Sequence, residues 1–225
     1  MKGEKMEFSN ALNGIRKIRT SEILSLVVAL LGAVGGGLIL GAVKSAASVE
    51  DAMNAGGAAI VGGGIVAVIA GILSIVAFII HLVGLNAAGK DEPRFRQGFI
   101  VAIVGIAVSL LQTVFAKNAL LSGIFEVISS VITPVITYLC IDGIINIARK
   151  LNNTEMVERG TKLFKIIIAI YAIVIIVKLI ETIFSAGEVV KAISGVLAIV
   201  AGILTIIALV TYLKYLGRAV RMLER

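Results

Sequence analysis

Six apolar stretches of roughly 20 residues alternate with short polar segments along the chain. A stretch of about 20 apolar residues can cross the hydrocarbon core of a bilayer as an α-helix. The pattern predicts six transmembrane helices, over residues 23–43, 59–85, 98–116, 127–147, 163–184 and 192–216. We therefore expect an all-α, polytopic membrane protein that forms a single membrane domain over residues 1–225.

Basic residues concentrate on one side of these predicted spans. The two termini and the second and fourth connections hold 17 lysines and arginines, whereas the other three connections hold only Lys44, Lys117 and Lys191. Cytoplasmic connections of membrane proteins are enriched in Lys and Arg. The distribution predicts a multi-pass protein of the plasma (inner) membrane with its N-terminus and C-terminus in the cytoplasm.

Residues 1–22, which precede the first predicted span, form an amphipathic cytoplasmic segment. Phe8, Leu12, Ile15 and Ile18 recur there at helical spacing beside basic residues. Such a segment fits a helix that lies on an anionic inner leaflet. It fits a short helix packed beneath the bundle equally well, so both alternatives stay open.

The chain is similar to itself at several places. Residues 65–88 align without gaps to residues 196–219, with ten identities in 24 positions, and LLQTVFA at 110–116 aligns with LIETIFS at 179–185. Tyr138 and Tyr212 occupy the positions equivalent to His81. These matches predict three parallel two-helix hairpin repeats, near residues 15–88, 95–148 and 159–219. Parallel repeats surround an axis along the membrane normal, where they either enclose a cavity or close into a packed bundle.

Composition is typical of a protein whose main solvent is lipid. Hydrophobic residues make up 59% and charged residues 16% of the 225 residues, and the mean hydropathy is +1.06. A soluble domain is only about 45–50% apolar. The net charge of +7 follows from the basic cytoplasmic connections, and no soluble segment is long enough to fold alone. We therefore expect the protein to reside in a lipid bilayer, and we do not expect it to bind nucleic acid.

Few residues are suited to catalysis or to metal binding. Cys140 is the only cysteine and His81 the only histidine, which excludes an internal disulfide and a Cys/His zinc cluster. No nucleophile, phosphate-loop or metalloprotease motif is present. We expect a protein that is not an enzyme and needs no cofactor.

Ionisable residues at membrane depth are the best candidates for a functional site. Lys178 and Glu181 share one face of the fifth predicted helix, and Gln112 takes the repeat-equivalent position of Glu181. Both charged side chains also fit a place at the membrane interface. Asp142 either pairs with a nearby basic residue or forms a polar cluster with His81, which otherwise fits an aromatic belt.

Glycines supply the spacing that close helix packing requires. Gly32 with Gly36, and Gly37 with Gly41, stand four residues apart in the first predicted span. Small residues at this spacing let two helix backbones approach each other. We expect these glycines to pack within the bundle or to face a partner in an oligomer.

The segment LNAAGKDEPRFRQGFIVAIVGIAVSLL at residues 85–111 resembles the inner loop and following helix of small prokaryotic six-span membrane proteins. That resemblance implies no activity. The plan of three hairpins is also similar to that of mitochondrial carriers, but their signature, Pro-x-Asp/Glu-x-x-Lys/Arg at the end of the odd helices, is absent. Pro93 and Pro134 are the only prolines.

Two functions fit these patterns. The first is a non-catalytic accessory or scaffold component that binds a membrane partner or a second copy of itself. Glycine-rich faces and few buried polar groups favour it. The second is a small transporter or channel with a site between the hairpins. Transporters place polar groups near the bilayer midplane, whereas the polar residues here lie toward the helix ends.

Overall fold

A computed structural model describes the backbone of residues 8–45, 49–183 and 188–224. Side chains are described within these ranges except at residues 34–63 and at parts of 119–126 and 174–201. The described chain is all-helical, with helices at α1 Ser9–Ser45, α2 Val49–Ala88, α3 Pro93–Val114, α4 Ala119–Lys150, α5 Thr154–Ile183 and α6 Glu188–Leu223.

Four helical stretches are long and apolar enough to cross a membrane. They are Gly64–Ala88, Pro93–Val114, Val127–Lys150 and Gly202–Leu223, in α2, α3, α4 and α6. The spans predicted in α1 and α5 include residues whose side chains lie outside the described part. The described residues thus indicate an integral membrane protein, in which these four stretches are able to cross the membrane.

The chain divides by its internal contacts into two compact units. The larger consists of Met1–Arg16 and Leu82–Arg225, and the smaller of Lys17–His81. In the larger unit α3 packs on α4, α4 on α5 and α5 on α6. Connections of three or four residues join α3 to α4 and α4 to α5, so these consecutive helices are antiparallel neighbours.

The core of the larger unit lies beside the connections that carry the basic residues. Leu85, Phe95, Ile144 and Leu216 are fully buried there, each within a few turns of such a connection. A Cβ atom added at Gly143 would stand 2.8 Å from the Phe95 ring, so the glycine lets α3 and α4 approach closely. Away from this end the helices expose large apolar side chains such as Leu110 and Ile203, which suits contact with lipid.

Residues 9–22 of the amphipathic N-terminal segment form the first turns of α1. Phe8, Ala11 and Ile15 are buried, and a Cβ atom at Gly14 would come within 2.5 Å of the backbone at the end of α2. The apolar face of this segment therefore packs against protein. Of the two alternatives for the segment, the packed helix is the one that this burial favours.

Asn152 shapes the turn between α4 and α5. Its φ of 53° is positive, a conformation that Asn tolerates better than most residues. The N–H of Asn153 donates to the carbonyl of Ala148 at 2.8 Å, and the N–H of Asn152 donates to that of Arg149 at 3.0 Å. This is a Schellman C-cap with Asn at the left-handed position, and it turns the chain directly into α5.

Candidate functional site

His81 lies in a small polar cluster within the smaller unit. The hydroxyl of Ser21 donates to the carbonyl of Ile18 at 2.7 Å and lies 3.0 Å from Nδ1 of His81. A hydroxyl has one hydrogen, so the Ser21 oxygen can only accept from the imidazole. We therefore assign the ring proton to Nδ1. Glu22 places Oε1 3.6 Å from the same nitrogen.

This geometry limits the chemistry of the cluster. In a Ser–His–acid triad, the hydroxyl and the carboxylate contact opposite ring nitrogens. Here Ser21 and Glu22 both face Nδ1 of His81, so the three residues cannot relay a proton from serine to acid. Burial raises the pKa of the Glu22 carboxyl, which precedes the first predicted span, to about 7. The cluster can hold a proton near neutral pH, but it has no activated nucleophile.

Ser21 and Glu22 were not among the candidates that the sequence indicated. Both precede the predicted span at 23–43, and His81 lies near the end of the span at 59–85. Consecutive spans joined as a hairpin bring the start of one to the end of the next. The order of the two spans in the sequence could therefore have predicted that Glu22 lies near His81.

Asp142 forms an ion pair in the larger unit. Its Oδ2 lies 2.8 Å from Nε of Arg94, which is in the first turn of α3. The aspartate thus has the basic neighbour that the simpler of its two interpretations expected. His81 belongs to the smaller unit, and a joint cluster of His81 with Asp142 stays a prediction.

Glu92 and Asp91 tie the turn before α3 to two other helices. Glu92 is buried, with Lys150 Nζ at 2.9 Å and Asn146 Nδ2 at 3.3 Å from its two carboxylate oxygens. Asp91 accepts from the backbone N–H of Ala11 at 2.7 Å and from the side-chain amide of Asn10 at 2.9 Å. Because the N–H of Ala11 lies in the first turn of α1, Asp91 acts as a cap supplied by another part of the chain.

The remaining candidates are described only in part. Gln112 is half-buried in α3 and forms no hydrogen bond to any side chain or backbone group that the structure describes. Lys178 and Glu181 have helical backbone in α5, but their side chains lie outside the described residues. Their pairing, and the equivalence of Gln112 with Glu181, stay predictions.

Gly32 has open space beside it, since a Cβ atom there would meet nothing within 4 Å. This openness matches a glycine that faces lipid or a partner better than one packed against the chain itself. Gly36, Gly37 and Gly41 lie outside the residues whose side chains are described, so their packing stays a prediction. Within the described part, no three His, Cys, Asp or Glu side chains cluster so as to hold a metal ion.

Comparison of the chain with protein-family models, curated proteins and solved structures finds no match in any of the three.

Proposed function

We propose that this protein is a non-catalytic integral membrane component of a prokaryotic inner membrane, which binds a transmembrane helix of another membrane protein. The proposal includes six spans in three parallel hairpins, with both termini in the cytoplasm. It assigns the polar side chains at the helix ends a structural role and the exposed glycine-bearing faces a binding role.

The exposed surface of α2 is the observation that carries the proposal. Only 6% of the most apolar 18 residues within Gly64–Ala88 are buried, against 39% of those within Gly202–Leu223 in α6. Gly64 and Gly71 stand two turns apart on this helix, and a Cβ atom at either would meet none of the described residues within 4 Å. Lipid alone gives no reason for glycine on such a face, whereas a partner helix does, because small residues permit close helix contact.

Equivalent burial supports the repeat between the first and third hairpins. In the alignment of 65–88 with 196–219, Ala77 pairs with Ala208 and Leu85 with Leu216, and all four are buried. Ile72 and its counterpart Ile203 are both exposed. Chance similarity of two apolar helices gives no reason for matching burial.

A contact between helices recurs in the same two repeats. Gly14 lies four residues before Ile18, and Gly160 lies four residues before the equivalent Phe164. A Cβ atom at Gly14 would meet the backbone of Gly84, and one at Gly160 would meet the side chain of Tyr215, the residue aligned with Gly84. At each glycine, the end of the second helix of the same hairpin thus packs against the first helix. Duplication of one hairpin predicts that this contact recurs.

The roles of the described charged residues support a non-catalytic component. Asp91, Glu92 and Asp142 each contact a group on another helix, which is how charges fix the relative positions of helix ends.

The test is to extract the tagged protein gently from its native membrane and to measure the mass and composition of the complex. Gly71→Phe should release the partner, because the ring prevents close approach. Val76→Phe is the matched control. It adds the same ring to an exposed position of α2, about 140° around the helix from Gly71, and should retain the partner.

Each outcome separates the alternatives. A stoichiometric membrane protein lost on Gly71→Phe supports the proposal, and a complex of identical chains would make the partner a second copy. A monomer that neither variant changes contradicts it.

Replacing Lys178 and Glu181 together by Leu tests the transporter alternative. Loss of a cellular phenotype at normal expression would favour transport, whereas tolerance supports an interfacial place for both residues.

A further inference from the structure

An open pocket of about 520 Å³ lies where the turn between α4 and α5 meets the last turns of α6. All of its walls belong to the larger unit. Its lining includes Arg159, Arg218 and Arg221, with Glu155, Met156 and Met222 between them. Three guanidinium groups and one carboxylate give the pocket a net positive charge.

The arginines can reach a ligand in the pocket. Arg218 and Arg221 are one helical turn apart on α6, so both project to the same side. Arg218 forms no ion pair with any described side chain. Among the described residues, Arg221 forms one hydrogen bond, from Nε to the carbonyl of Gly217 at a long 3.4 Å. Their terminal nitrogens therefore remain available to a ligand.

Arg159 is held by a neighbour that can release it. Its Nε donates to Oε1 of Glu155 at 2.8 Å, one turn earlier on α5. The Glu155 side chain is 71% exposed, and exposed ion pairs of this kind contribute little to stability. An anion of higher charge can therefore replace Glu155 as the partner of the Arg159 guanidinium with little loss of stability.

The backbone adds to the positive field of the pocket. α5 begins at Thr154, and the positive end of a helix dipole favours an anion at its first turn. The side chain of Asn153 accepts from the N–H of Met156 at 3.1 Å, which orders this turn. Arg is the residue best suited to phosphate, because its planar donors match two phosphate oxygens at once.

The apolar part of the lining indicates the source of the phosphate. Met156 is buried, and Met222 stands at the end of Gly202–Leu223, a stretch able to cross a membrane. The pocket therefore lies where a membrane helix leaves the lipid, on the side that the basic residues predict to be cytoplasmic. Basic pockets between helices at that side suit anionic lipid headgroups.

We propose that Arg159, Arg218 and Arg221 form a binding site for a phosphate group, presented by the headgroup of an anionic phospholipid. Inorganic phosphate presents the same group to the arginines. It lacks the acyl chains, which in a phospholipid would lie along the apolar side of the pocket at Met222. The site is independent of the partner-binding face of α2, so either proposal can fail alone.

The experiment measures stabilisation of the detergent-solubilised full chain by short-chain phosphatidic acid, short-chain phosphatidylcholine and inorganic phosphate. Cys140 is the single cysteine and is buried, so its reaction with a fluorescent maleimide on heating reports unfolding. The main variant is Arg218→Gln with Arg221→Gln. The control is Lys90→Gln with Arg96→Gln, which removes the same charge from exposed residues outside the pocket.

We expect phosphatidic acid to stabilise the wild type and the control, and to bind the pocket variant about tenfold or more weakly. Stabilisation by inorganic phosphate through the same arginines would support the phosphate site but assign it a free anion. Equal stabilisation of wild type and pocket variant, or none by either phosphate compound, would overturn the proposal. If the Gln variant does not fold, Arg218→Lys with Arg221→Lys keeps the charge but loses the paired donors, and should show an intermediate affinity.

Discussion

The phenol oxygen of Tyr215 on α6 occupies the space beside Gly160 on α5 that any larger side chain at residue 160 would fill. Ile145 of α4 closes the same space from its other side, 2.6 Å from where a Cβ atom would stand. Three helices thus meet at one glycine near the end of the bundle that carries the core. The absence of a side chain at residue 160 sets how closely they approach.

Gly160→Ala should destabilise the protein by about 1–3 kcal/mol, the usual cost of adding a group to a filled core. The measurement is the temperature at which the buried Cys140 becomes reactive to maleimide. Gly202→Ala is the matched control, because a Cβ atom there meets nothing within 4 Å and Ala has the higher helix propensity. Equal destabilisation by both changes would show that backbone effects, and not contact with Tyr215, determine the loss.

Tyr215→Phe should leave stability unchanged or raise it. The hydroxyl of Tyr215 is buried without a hydrogen-bond partner among the described residues, and an unsatisfied buried polar group costs about 1–3 kcal/mol. Combined with Gly160→Ala, the change should recover part of the lost stability, because the oxygen that blocks the added methyl is gone. A strong loss from Tyr215→Phe alone would mean that the hydroxyl has a partner, and would contradict this prediction.

Lys150→Met should destabilise the protein by roughly 1–3 kcal/mol, since it leaves the buried carboxylate of Glu92 without its cation. Adding Glu92→Gln to that variant should restore most of the loss, because the unpaired charge is then removed. Lys90→Met, an exposed position, controls for the change in net charge and should have little effect. The result is given by the thermal midpoints of five proteins: wild type, Lys150→Met, Glu92→Gln, their double variant and Lys90→Met. Additive losses in the double variant would exclude coupling between the two residues.

Glu22→Gln should alter how stability depends on pH. The ordinary pKa of the Glu22 carboxyl is 4.5, and burial raises it to about 7 in the folded protein. Between these values the folded state holds a proton that the unfolded state has lost, so this contribution to stability is complete below pH 4.5 and lost as pH rises through 7. Gln cannot ionise. The free energy of unfolding of the variant should therefore rise, relative to that of the wild type, by on the order of 1–3 kcal/mol from pH 5 to pH 8.

The comparison is the thermal midpoint of wild type and Glu22→Gln at several pH values in one detergent. His81 faces Glu22 and Ser21 contacts His81, and both residues remain in the two proteins. Glu224→Gln, which removes a carboxylate from an exposed ion pair with Arg16, shows the effect of the same change in charge away from the cluster. Parallel curves for wild type and Glu22→Gln would mean that Glu22 keeps an ordinary pKa.

The all-α architecture could be predicted because lipid imposes it. A chain in hydrocarbon must satisfy its backbone groups within each span, and a helix does so without neighbours. The ends of the helices were less predictable. α2 begins at Val49, ten residues before the predicted span at 59, because hydropathy detects only the apolar window, whereas a helix continues through polar residues as long as its hydrogen bonds are satisfied.

The contacts of the candidate residues were hardest to predict. Asp142 stood out because a charge within an apolar run is visible in the sequence, but its partner Arg94 was one of several basic residues within reach. Glu22 was overlooked because it lies at the boundary of a span, where charges are common. The pairing of Glu22 with His81 depends on the register between α1 and α2.

The sequence by itself determined the helices, their membrane character and the concentration of basic residues in alternate connections, because each follows from local composition and the thickness of a bilayer. Only the tertiary structure decided which ends meet: Gly160 with Tyr215, Glu92 with Lys150, and the arginines of α5 with those of α6 around one pocket. The sequence of a helix that is apolar on every side gives little indication of how the helix is rotated about its axis, or shifted along it, relative to its neighbours. Close contacts at glycines and the pairing of buried charges at the helix ends supply that information.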